Sequence, residues 1–284
     1  MKKDAKRRKL EMALFFRRAK REIQARKGVF AVYLLLRLSV ILVLIAQCFN
    51  HNYENAFLCV LTLVLFTMPT FLENKLRIRL PDTMEVIVLL FIYSAEILGE
   101  IHSMYMKVPM WDTILHTMNG FLAAAVGFCL VELLNRHEKF TFKLSPVYLA
   151  IVAFCFSMTI GVLWEFFECS MDRFLLKDMQ KDTVVHTISS VSLDPEGLNH
   201  PVVIKDIKGV KVITDDGEIT LPVDGYLDLG LYDTMEDLFV NFIGAVVFSV
   251  IGYFYVKRKG KGRIAKRLSL IHISEPTRPR LISY

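Results

Sequence analysis

The sequence is short of the features that organise soluble and secreted folds. Its five cysteines (Cys48, Cys59, Cys129, Cys155 and Cys169) include no CxxC pair, so the chain does not read as a disulfide scaffold. Four of them fall inside apolar runs and are expected to be small buried hydrophobes, with Cys48, Cys59 and Cys169 near enough to one surface for a single disulfide. There is no Walker loop, no GxSxG elbow and no dinucleotide fingerprint. No internal repeat or low-complexity tract is visible. A cleavable signal peptide is not expected either, because the first 28 residues are too charged for a short n-region.

What the sequence has in excess is apolar surface. Of 284 residues 54% are hydrophobic, yet 23% are charged, and the mean hydropathy is +0.40. A soluble domain averages about 45–50% apolar. The excess is gathered into six blocks, at 29–49, 56–72, 84–104, 112–134, 146–167 and 233–256, each near the roughly 20 residues that cross about 30 Å of hydrocarbon. The expected fold is therefore an all-α polytopic membrane protein, a six-span helical bundle. The second block is short and carries Pro69 near its end.

Lys and Arg set the expected orientation. Residues 1–28 hold twelve of them, 73–83 and 135–145 three each, and 257–267 seven, whereas the long loop 168–232 has six basic against twelve acidic residues. Both termini are thus expected in the cytoplasm. The sequence pI near 9.0 then reflects topology and anionic inner-leaflet lipid rather than nucleic acid. Met12, Phe15, Phe16, Ala19 and Ile23 recur at helical spacing among basic residues, which makes 1–28 an amphipathic segment for that lipid surface.

Spans one to five occupy 29–167 and span six 233–256. Between them, 168–232 is expected to carry a small β-hairpin or three-stranded flap. Residues 202–207 and 210–214 are β-branched runs, and Asp216-Gly217 offers a hairpin turn before 218–221. A basic tail follows at 257–267. Residues 268–278 read LSLIHISEPTR, which resembles the in-frame translation of a common transposase sequencing adapter. Ile282-Ser283-Tyr284 would continue it past a short index, so 268–284 is expected to be no part of the natural chain.

Ionisable side chains inside a span cost about 2.5–3.5 kcal/mol each on insertion scales and usually face a cavity or a partner. Here they gather in the outer third of spans three to six. Glu96 and Glu100 share a face of span three; Asp112, His116 and Asn119 form one stripe of span four, with Gly120 beside it for close helix approach. Glu165, Glu168 and Asp172 line span five after Trp164. Asp233, Asp237 and Asn241 descend span six above Gly244. Capping explains Asp112 and Asp233, which open helices. It does not explain Glu96, Glu100, Glu165 and Glu168, which close them. Several carboxylates and an imidazole in one low-dielectric pocket must share protons or hold a cation. The expected site has Asp112, His116, Glu165, Asp233, Asp237 and Asn241 as ligands of a divalent metal of unknown identity, and His116, Glu165 and Glu168 as candidate acid–base groups. Glu96, Glu100, Asn119, Gly120, Trp164, Asp172 and Gly244 would support it. Arg37, near mid-membrane, would pair with the cluster or snorkel inward.

The motifs WDTILHTMNG, GVLWEFFE and DTMEDLFVNFIGA, in that order, resemble the YjdF-like family of bacterial inner-membrane proteins over about 84–255. The last is also similar to the end of VanZ-like membrane proteins, a family linked to glycopeptide tolerance. The first resemblance implies a multi-pass protein of the bacterial plasma membrane and the same site location, and no chemistry. The leading expectation is a metal-dependent membrane enzyme acting on a lipid-linked or small-molecule cell-envelope precursor. The rivals are a cation- or proton-coupled transporter using the same carboxylates and a non-catalytic envelope assembly factor.

Overall fold

The structure, a computed structural model, describes residues 26–71, 81–135 and 144–258, the side chains of 132–135 excepted. The expected amphipathic segment before residue 26, the basic stretches 72–80 and 136–143, the basic residues beyond 258 and the adapter-like segment 268–284 lie outside the described residues.

Among the described residues five helices are long and apolar enough to cross a membrane: Lys27–Phe49 (α1), Tyr53–Phe71, Trp111–Val131, Pro146–Leu175 and Leu231–Lys257. Their outward faces carry large apolar side chains. Leu35 is 66% exposed, Leu42 67% and Phe57 66%. In water such a surface would drive association; against lipid it is what a spanning helix requires. The chain is a polytopic helical membrane protein.

The second span is interrupted. Helix α2 (Tyr53–Leu65) gives way to a turn at 66–67 before helix resumes through Phe71. Pro69 has no N–H to offer the Leu65 carbonyl, and its ring crowds that turn. The third expected span also differs from a plain α-helix. Helix α3 (Asp82–Tyr93) runs without a break into a π-helix, Ser94–Ile101. This is the segment with Glu96 and Glu100. Left-handed Ser103 (φ 56°) then starts the one-turn helix α4 (Met104–Lys107). The Tyr105 ring lies 2.4 Å from where a Cβ on Gly99 would stand, so a side chain there would have to displace that ring.

Three long helices form the body around the polar stripes: α5 (Trp111–Asn135), α6 (Pro146–Leu175) and α7 (Leu231–Lys257). Helix α6 begins at Pro146, behind Ser145, whose hydroxyl accepts from Tyr148 N at 3.2 Å. It runs about two turns past the expected end at 167, to Leu176 in the left-handed region. Glu168 and Asp172 are therefore helical rather than part of the loop. Met84, Leu122, Phe128, Leu149, Ala153 and Phe248 make the apolar core of this body. Leu36, Val40, Cys59, Leu89 and Ile97 pack α1, α2, α3 and the π-helix into a second cluster.

Two ion-pair sites mark the two ends of the bundle. Arg26, before α1, bridges Asp82 and Glu85 at the start of α3. Lys177, after α6, lies 3.6 Å from Glu54 at the start of α2. Every polar stripe lies toward the second end.

The loop between α6 and α7 holds three antiparallel two-stranded ladders. Strand β1 (Thr183–Val185) pairs with β6 (Tyr226–Asp228) and closes the loop at its base. Strand β2 (Ile188–Ser190) pairs with β3 (Val202–Ile204), and β4 (Lys211–Thr214) with β5 (Gly217–Thr220). The expected hairpin exists, shifted by one residue. Thr214 pairs with Gly217, leaving Asp215-Asp216 as the two-residue loop, and Gly217 (φ 124°) takes the backbone conformation closed to other residues. The run at 202–207 joins β2 instead of the hairpin, so no three-stranded flap forms. All five cysteines are free, with Cys48 and Cys169 exposed and Cys59 buried.

Candidate functional site

Helices α5 and α7 run side by side with their N-termini at the same end, and α6 runs antiparallel between them. Glycine permits the close approach. A Cβ on Gly120 would meet Asn241 O at 2.1 Å, and one on Gly244 would meet Thr117 O at 2.0 Å. The Ser157 hydroxyl donates to Gly120 O at 2.7 Å, tying α6 to α5 at this depth. Gly161 makes room for the Asn241 amide, whose Nδ2 would stand 2.7 Å from a Cβ there.

Above this layer the stripes converge. His116, Glu165, Glu168 and Asp237 are all buried, and each offers one ligand atom within 4.8 Å of the others. His116 Nδ1 lies 3.8 Å from Glu165 Oε1, while Nε2 lies 3.6 Å from both Asp112 Oδ1 and Asp237 Oδ2. These spacings are too long for hydrogen bonds. The Nε2–Asp237 spacing is close to the roughly 3.4 Å between two ligands that each stand about 2.0–2.1 Å from one tetrahedral ion; an imidazole gives an ion one nitrogen, so the Nδ1–Glu165 spacing is not a second such pair. Glu165 Oε2, Glu168 Oε2 and Asp237 Oδ2 are buried without a hydrogen-bond partner. Among the described residues no Lys or Arg pairs with these three carboxylates. Ionised, they would be buried charges without compensation, which costs several kcal/mol each; shared protons or a bound divalent cation would relieve that cost. The donor set, imidazole plus carboxylates, fits Zn, Mn or Fe.

A second group stands beside the first. Asp112, Asp233 and Asp237 also place ligand atoms within 4.8 Å of one another, with Asp112 and Asp233 only half-buried. Trp164, on an exposed edge of α6, turns its Nε1 inward to Glu168 Oε1 at 2.8 Å.

The remaining expected residues have other neighbours. Asn241 is buried one turn below the ligands; its Oδ1 accepts from Asn119 Nδ2 at 3.5 Å, and its own Nδ2 approaches Met158 Sδ at 3.7 Å. Asp172 accepts the backbone N–H groups of Met179 and Gln180, at 2.7 and 2.8 Å. Glu96 is half-buried and Glu100 exposed. Neither joins a ligand group. Arg37 stacks on the Tyr33 ring, 4.5 Å from its centroid, rather than reaching the cluster. His51 and His186 approach Tyr53 Oη and Ile207 O.

Sequence reasoning missed the strap after α6. Lys181 N donates to Asp233 Oδ2 at 2.7 Å, and Gln180 reaches Thr234, so residues 179–181 are tied to the first turn of α7 beside the Asp112, Asp233 and Asp237 group. No periodic signal marks such a loop. It also missed Ser157 and Gly161, whose signal was present: Leu149, Ala153, Ser157, Gly161 and Glu165 recur every four residues, a small-residue stripe leading into the carboxylates.

A family model described as "Predicted membrane protein (DUF2238)" matches residues 32–258. An uncharacterised protein of Thermotoga maritima is 23% identical over 107 residues, 38% of this chain and 53% of that protein, so the chain spans about half the length of that curated relative. No solved structure matches. The model match takes in all but the first turn of the spans and every site residue, and with the three motifs it shows that the chain belongs to the DUF2238 family of predicted membrane proteins, the YjdF-like family.

Proposed function

We propose that this protein is a metal-dependent enzyme of the bacterial plasma membrane, both termini cytoplasmic, whose pocket opens to the outer face and acts on a lipid-linked or small-molecule cell-envelope precursor. One observation carries the reading: four buried ligand side chains from three helices converge within 4.8 Å, and three of them carry an oxygen that has no other partner.

His116, Glu165, Glu168 and Asp237 would hold the ion. A bound divalent ion would polarise a carbonyl or phosphoryl oxygen and lower the pKa of water. Glu168, whose Oε1 is fixed by Trp164, would offer its unpaired Oε2 to the ion. The strap 179–181 would limit bulk water above the site, and the lipid-facing flanks of α6 would admit an apolar tail.

The test is bound metal in detergent-purified protein, measured by mass spectrometry beside His116→Ala and Asp237→Asn. A stoichiometric ion that both variants lose supports the reading. Well-folded wild type with no ion, and regaining none on incubation with Zn or Mn, sinks it.

A further inference from the structure

We propose that the pocket holds two divalent cations, one among His116, Glu165, Glu168 and Asp237 and one among Asp112, Asp233 and Asp237, with the Asp237 carboxylate shared between them. This rests on the metal-site reading above and deepens it. The two ligand groups are each within 4.8 Å internally and have only Asp237 in common. Its side chain is 3% exposed and its Oδ2 is buried with no hydrogen-bond partner. One carboxylate offers two oxygens and about four lone-pair sites, enough to bridge two ions. Ions so bridged stand about 3.5–4 Å apart, the separation of two-metal sites.

The two positions differ in chemistry. The inner one has an imidazole and three buried carboxylates, a set for Zn, Mn or Fe. The outer one has oxygens only, and Asp112 is 31% exposed; such a set suits harder ions that keep some water, Mg, Mn or Ca. The outer ion should therefore exchange faster. Together the pair would clamp an anionic, oxygen-rich group such as a phosphate ester.

Manganese tests this directly, because it fits both sets and its paramagnetic resonance reports a neighbouring ion. Metal-stripped full-length protein is loaded with Mn²⁺ and counted, beside Asp112→Asn and Asp233→Asn, whose half-exposed positions leave the fold least disturbed. The expected result is about two ions per chain in wild type with an exchange-coupled spectrum, falling to about one with the hyperfine pattern of an isolated ion in either variant. One ion in wild type, or two ions that both variants retain, overturns the proposal and leaves the single-metal reading standing. No ion in wild type overturns both.

Discussion

At the scale of single residues, the buried carboxylates of α6 matter less as charges than as atoms without partners. Glu168 has one oxygen satisfied by Trp164 and the other unmatched. Trp164→Phe keeps the apolar ring and removes the donor. A lost partner of a metal ligand typically costs 10- to 100-fold in affinity, so we expect metal binding about tenfold weaker with elution behaviour unchanged. Competition against a chelating indicator checks it, and unchanged affinity would reduce Trp164 to an interfacial anchor. Asp194 offers a contrast outside the membrane. Its carboxyl is held below the usual range by the Glu196 N–H above all, then by those of His200 and Leu198. A depressed folded value means the turn is stabilised above the ordinary aspartate pKa of about 3.9 and loses that stabilisation as pH falls through the folded value. Amide exchange at Glu196, Leu198 and His200 should therefore accelerate relative to unstructured amides in acid. Asp194→Ala should show the same acceleration at neutral pH.

At the scale of elements, the site exists because two helices touch backbone to backbone. Gly120→Ala and Gly244→Ala each place a methyl about where a facing carbonyl already stands, at 2.1 and 2.0 Å. Neither carbonyl can move without its helix. Both variants should lose most of their monodisperse yield in detergent, or several degrees in Tm. Gly28→Ala, where nothing lies within 4 Å, should be neutral. Equal behaviour of all three would show that α5 and α7 do not meet at these glycines. Gly120 and Gly244 were legible in the sequence because each sits beside a polar stripe at helical spacing, and burial of such stripes forces close packing. His116, Glu165, Glu168 and Asp237 were legible for the related reason that a costly group inside a span needs a neighbour. The π-helix was not legible, since one extra residue per turn leaves hydrophobicity unchanged. The β1–β6 pairing was not legible either. Its strands are three residues long and more than forty apart in sequence, and nothing local selects one such partner over another.

At the scale of the whole molecule, chemistry and charge are divided between two ends. Arg26, Asp82 and Glu85 close one end; the ligand groups, the strap and the acidic β ladders occupy the other. Which end faces outward decides what can reach the pocket. In the proposed orientation, which rests on the basic segments 1–28 and 257–267, the first end is cytoplasmic and the pocket would meet outer-leaflet and extracytoplasmic substrates. The Asp215-Asp216 hairpin tip tests this, because it is exposed and far from the ligands in sequence. A single cysteine at Asp216 in a cysteine-free chain should react with a membrane-impermeant maleimide in intact spheroplasts. A cysteine at Arg258, beyond α7, should react only after permeabilisation. The reverse pattern would turn the pocket to the cytoplasm. It would leave the metal site untouched and replace envelope intermediates with cytoplasmic precursors as the substrate class, so orientation and metal content together define what the pocket works on.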